Sequence, residues 1–147
     1  MANTKLDIRT GLIVGVIDAN LSYPIQWPNL PVQTSSTDNT PKDPNDEPWL
    51  RITILSMEDG VSTLGANGRD EVIGAMQVDI FVPKGSGDIK AYQIMEEIRA
   101  TLTRGKTLTH NGQFVRITSA GSRQGQDEPN WYSQIINVDF NSYLTRS

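Results

Sequence analysis

The sequence contains no cysteine and a single histidine, His110. Without cysteine there are no disulfides and no thiolate metal sites, and a reducing compartment is allowed. One histidine excludes multi-histidine metal sites and histidine pairs for acid–base work. Long apolar runs are missing too: no stretch approaches the roughly 20 apolar residues of a membrane span. The start, MANTKLDIRTGLIVGVIDAN, has only the short apolar segment Gly11–Ile17, flanked by Asp7 and Asp18, and lacks a small-residue cleavage pattern. It does not read as a signal peptide. Nor is there an excess of positive charge. Thirteen Lys and Arg face 17 Asp and Glu, for a formal net charge of −4. That balance argues against gripping nucleic acid through its phosphates, which takes clustered cations.

What is present suits one folded domain over residues 1–147, with 37% hydrophobic and 20% charged residues. A chain of this size buries roughly 70% of its unfolded surface, enough for a single core. Leu6, Leu12, Ile13, Val16 and Ile17 recur at helical spacing, so residues 4–19 read as an amphipathic helix. Gly11 and Gly15 interrupt it, each at about 1 kcal/mol against alanine. They point to close packing against a sheet or a neighbouring subunit. Six of the eight prolines follow, between Pro24 and Pro48. Tyr23–Trp27 fits a short edge strand, where proline is best tolerated. Residues 31–47 are polar and aperiodic, which reads as a long Pro-rich binding or disordered loop.

Strands are expected at Trp49–Leu55 and Glu71–Val82, joined by the glycine-rich, charged loop Met57–Arg69. Between Val72 and Gly105 the chain reads VIGAMQVDIFVPKGSGDIKAYQIMEEIRATLTRG: an alternating strand, a turn, an amphipathic helix over Asp88–Arg104 and a glycine stop. Thr107–Thr109 and Gln113–Ser119 flank Asn111-Gly112, the preferred pair for a two-residue type I′ turn. Asn130–Leu144 closes the chain as a long strand. All neighbouring strands can be antiparallel. The expected fold is an α+β two-layer domain, with an antiparallel or mixed sheet of four to five strands and two helices packed on one face.

No constellation of catalytic residues emerges. Gly105-Lys106-Thr107 ends like a phosphate-binding loop, but position 100 is alanine and a helix precedes it. Gly85-Ser86-Gly87 precedes a helix, yet Lys90 stands where a dinucleotide fingerprint needs glycine. Asp46, Glu47, Asp88 and Lys90 fit a metal nuclease poorly, because Asp88 opens a helix. Glu58-Asp59 and Asp70-Glu71 flank the glycine-rich loop without the ligand register of a calcium loop. His110 reads as a turn residue, and no serine has a nucleophile-elbow context. No cofactor is expected. Trp27, Trp49 and Trp131 lie at element ends, suited to core packing at a sheet rim or to an interface.

Three stretches carry a resemblance. The first is the N-terminal helix and Pro-rich stretch ending in Pro48-Trp49-Leu50-Arg51. The second is Gly65–Arg69 leading into Gly74–Val82 and Pro83-Lys84-Gly85-Ser86-Gly87. The third is the long last strand. Together they resemble the tail terminator, or tail-completion, proteins of long-tailed bacteriophages, over most of residues 4–144. The resemblance implies a mixed α/β sheet with two helices and a hexameric ring that caps the tail tube. It implies a tail tube protein and a head-completion or connector protein as partners, with DNA passing through the lumen without specific binding. It implies a place in the virion tail or neck, after assembly in the host cytoplasm. The interface residues expected on this reading are Met57, Glu58, Asp59, Arg69, Asp70, Trp27 and Trp131. A head-completion protein of the neck and a small-ligand-binding regulatory α+β domain are the alternatives. An enzyme using carboxylates alone is a third class.

Overall fold

The computed structural model describes residues 3–61, 64, 65, 68–126 and 128–145. Helix α1 (Lys5–Asp18) starts where the Thr4 backbone N–H donates to Asp7 Oδ2 at 2.9 Å. Gly15 serves close approach to the sheet, whereas at Gly11 a side-chain carbon would make only ordinary contact. A Cβ at Gly15 would lie 2.8 Å from Leu108 Cδ1, and one at Gly11 would lie 3.6 Å from His110 Cβ. Helix α2 (Ile89–Thr101) is shorter than its sequence pattern. It ends at Leu102, and Gly105, at φ +91°, turns the chain so that its N–H donates to Ile117 O at 2.8 Å.

The strands are β1 (Ile25–Gln26), β2 (Val32–Gln33), β3 (Trp49–Val61), β4 (Arg69–Pro83), β5 (Thr107–His110), β6 (Gln113–Gln124) and β7 (Trp131–Thr145). They form one sheet in the order β2-β1-β3-β4-β7-β6-β5. The fold is α+β as expected, but the sheet corrects the expectation of four to five strands. It is a seven-stranded mixed sheet, curled into a half-barrel. Nor are all neighbours antiparallel, since β1 runs parallel to β3. β1 falls within the short strand expected at Tyr23–Trp27, but β2 covers it and takes the edge; β2 itself is two residues long, too short to show any alternation.

β3 and β4 extend well beyond their hydrophobic alternation. Met57 through Val61 pair with Gly74 through Asp70, so much of the expected 57–69 loop is ladder. Glycine and carboxylates mask this arm in the sequence, because no hydrophobic alternation marks it. Leu55 is a bulge between the pairs Ile54↔Met76 and Ser56↔Ala75. Leu50, Ile52 and Ile54 face the helices before it, and Met57 and Asp59 after it. Thr118 interrupts β6 in the same way, between Ile117↔Phe140 and Ser119↔Asp139. Bulges sharpen the local twist, consistent with the curl of this sheet.

One core fills the concave side. Ile8, Leu12 and Val16 of α1 meet Ala91, Ile94 and Ile98 of α2 over Ile52, Met76, Val78, Ile80, Ile117, Val138 and Phe140. At roughly 1.5–3 kcal/mol for each large apolar side chain, this burial dominates the folding energy. The β5–β6 turn has Asn111 at φ +50° and Gly112 at φ +76°, the two positive angles a type I′ turn requires. Within 31–47, Gln33 bridges Pro41, and the Ser36 N–H and Oγ both donate to Leu21 O, at 3.2 and 3.0 Å. Asp38 accepts from the Thr40 N–H and Oγ1, which holds its carboxyl below the usual aspartate range.

Candidate functional site

Among the described residues the convex face of the sheet carries no helix, and its side chains pair across strands. At one end Trp49 stacks on Phe81 with ring centroids 4.3 Å apart, and Trp131 meets Trp49 edge-on at 6.1 Å. The Arg51 guanidinium lies 5.0 Å from the Phe81 ring centre, and its Nε donates to Asp79 Oδ2 at 2.9 Å. Gln77 Nε2 donates to Asp79 Oδ1 at 2.8 Å. Asp79 is thus almost fully buried on a sheet face that bears no helix, with both oxygens occupied. Trp49 Nε1 is buried without an acceptor among the described residues.

At the other end lies the β3–β4 arm. Asp59 pairs with Lys5 at 3.0 Å, and Lys5 Nζ also donates to Met57 O at 3.4 Å, tying the arm to the start of α1. Glu71 accepts from Asn141 Nδ2 and Tyr143 Oη, both at 3.2 Å. Arg69 lies over Tyr143, 5.0 Å from the ring centre, a cation–π arrangement. Asn3, Arg69, Gly112, Gln113, Phe114, Tyr143 and Thr145 surround a shallow depression beside it.

The structure brings five of the seven expected interface residues together on this arm. Glu58, Asp59 and Arg69 are exposed, Asp70 is half-buried, and Met57 packs partly on the core. Trp131 sits at the opposite end of the sheet, opposite Pro83. Trp27 is buried in the core cluster. The acidic pairs do not converge: Asp59 and Glu71 leave the ladder on opposite faces. Among the described residues, no three His, Cys, Asp or Glu lie close enough to hold a metal ion. His110 ends β5 half-buried, beside Gly11.

Comparison with known proteins gives this surface a context. A family model described as phage tail terminator protein matches residues 13–140. The chain belongs to this family. No curated protein matches it. Seventeen chains of solved structure do. One of them is similar with a TM-score of 0.66 at 18% identity, over 98% of this chain and 96% of its own. At that identity the likeness speaks for the fold.

The tail terminator family is structural, and this assigns the protein to the phage tail and its assembly. Two exposed side chains of this tail terminator escape hydrophobic-pattern reasoning. Ile73 is 56% exposed opposite Glu58, and Phe114 is 62% exposed beside the Arg69 depression. Phe114 shares the outward phase of β6 with Arg116, while Val115 and Ile117 point inward. A large aromatic in the polar phase of an alternating strand was the signal that could have found it.

Proposed function

We propose that the protein caps the finished tail tube as a ring, stops tube growth and forms the joint to a head-completion or connector protein. On this reading the ring is a hexamer of this chain, assembled in the host cytoplasm and carried in the tail or neck of the virion. The family match over residues 13–140 carries the reading. The shape of the subunit supports it: the curled sheet carries an arm, Met57–Val61 with Arg69–Gly74, that is tied to the start of α1 on its inner side and exposes Glu58 and Ile73 on its outer side. Glu58, Asp59, Arg69 and Asp70 would meet a neighbouring subunit or the tube, with Met57 supporting the arm from the core side. Trp131 would act at the opposite end. Trp27, being buried, would brace the fold beneath these surfaces. The helix-free face carries Arg51, Arg116 and Arg123 among Asp79, Asp139 and Glu71. Such a mixed wall would let a duplex pass without holding it.

Negative-stain microscopy of the purified protein, and of tails assembled with it, tests the proposal. Rings of uniform diameter at one tail end, with tubes of fixed length, are the expected result. A monomer that forms no ring and leaves tube growth unchanged overturns it. Co-purification with head components alone would assign the protein to the head side of the neck instead.

A further inference from the structure

Among the described residues, the sheet has two long borders, on opposite sides, that no further strand covers. β5 pairs with β6 only over Gln113–Arg116, and two further bonds join Gly105 and Lys106 to Ile117. Beyond Ile117, the stretch Thr118–Gln124 has β7 on one side and no strand on the other among the described residues. On the far side, β1 covers β3 only at Leu50 and Arg51. From Ile52 to Val61 the outer border of β3 likewise meets no strand among the described residues. Arg9, Gln26, Trp27 and Asn29 line a groove along its first half, beside Ile52 and Ile54.

Unpaired borders invite another strand, and proteins usually blunt them with lysine, proline or an inward charge. Beyond the Thr118 bulge, Ser119-Ala120-Gly121-Ser122 pairs regularly with β7 and has none of these, only small uncharged side chains. The two borders also match in direction. β3, β4, β7 and β6 alternate, each antiparallel to the next, so β3 and β6 run in opposite senses. A second copy placed alongside with the same orientation would therefore set its β3 antiparallel to this β6. They match in charge as well. Arg104, Lys106, Arg116 and Arg123 gather on the β6 side, where Arg104 and Arg116 line one depression with Thr118. On the β3–β4 side lie Glu58, Asp59, Asp70 and Glu71 with Arg69; Lys5 engages Asp59, and Asn141 and Tyr143 engage Glu71, so Glu58, exposed on β3 itself, is the carboxylate this border presents.

From these observations we infer that Thr118–Gln124 of one copy receives the outer border of β3 of the next by antiparallel strand addition. The contact is head-to-tail, because the two borders differ, and it therefore leads to a ring when the rotation closes. It keeps the helix-free faces of successive copies on one continuous surface. Main-chain bonds supply the affinity, and the opposed charges set the register and exclude the reverse orientation. This inference rests on the ring proposed above and names the contact that closes it.

The absence of native cysteine gives a direct test. Gly121 accepts a side chain, since a Cβ there meets nothing within 4 Å. Gly121→Cys is combined in turn with Thr53→Cys, Ser56→Cys and Glu58→Cys, three positions on the same face of β3. After mild oxidation, at least one pair should give a covalent ladder on a non-reducing gel, ending at the ring mass. Arg123→Glu should weaken assembly at least tenfold, and should regain it when mixed with Glu58→Arg. If all three double variants form rings by light scattering yet none cross-links, and Arg123→Glu assembles normally, the strand-addition contact is wrong and the ring stands. If the unmodified chain stays monomeric at every concentration, both fall.

Discussion

Gly74 and Phe140 stand directly opposite each other on β4 and β7, and the Phe140 ring occupies the space a side chain at 74 would take. A Cβ there would also strike the Ser56 carbonyl, next to the Leu55 bulge. The glycine thus lets β3 bend and the ring lie flat against the sheet at one point.

Gly74→Ala should therefore destabilise the fold by about 1–3 kcal/mol, the usual cost of overpacking. Equilibrium urea denaturation measures it, as a lower midpoint with unchanged slope. Adding Phe140→Leu should recover part of the loss by giving the ring space back. An alanine variant as stable as the parent would refute the packing account.

Arg51 and Asp79 form a half-buried pair whose carboxylate is only 4% exposed. Arg51→Met should leave that charge with Gln77 alone and cost about 1–3 kcal/mol, moderated because the guanidinium is itself partly exposed. Arg51→Met with Asp79→Asn should cost less than Arg51→Met alone. A double-mutant cycle by thermal melting decides it, with independence of the two sites as the contrary result.

Tyr23 has its phenol pushed above its ordinary value, first by burial and then by its 2.8 Å bond to Glu97; Lys90, near the ring, pulls the other way. The folded protein thus holds this proton more tightly than the unfolded chain. The stability it contributes is complete below about pH 10, the unfolded value, and is lost as pH rises through the higher folded value. Stability measured against pH in the alkaline range should fall more steeply in the parent than in Tyr23→Phe. Equal slopes would remove Tyr23 from the linkage.

Arg69 packs on Tyr143 at the edge of the arm. Arg69→Glu should weaken ring or tube association while leaving the monomer folded. Sedimentation velocity reads the first and far-ultraviolet circular dichroism the second. Assembly identical to the parent would exclude Arg69 from the interface.

Much of this architecture is legible in the residues. Periodicity marks α1 and α2, Asn111-Gly112 marks the β5–β6 turn, and alternation marks the centres of β3, β4, β6 and β7. These signals survive because each element presents one apolar face to one core, and burial imposes its period on the sequence. The tertiary structure decided what has no local period. The β3–β4 arm carries no hydrophobic alternation, β2 is two residues long, and β1, expected as a strand, joins β3 in parallel through contacts distant in the chain. It also decided that Trp27 is buried while Phe114 and Ile73 face water, and that β6 outruns β5 and leaves a border unpaired. Exposure and unpaired edges are properties of what a residue's neighbours fail to cover. Those neighbours are brought together only by the fold.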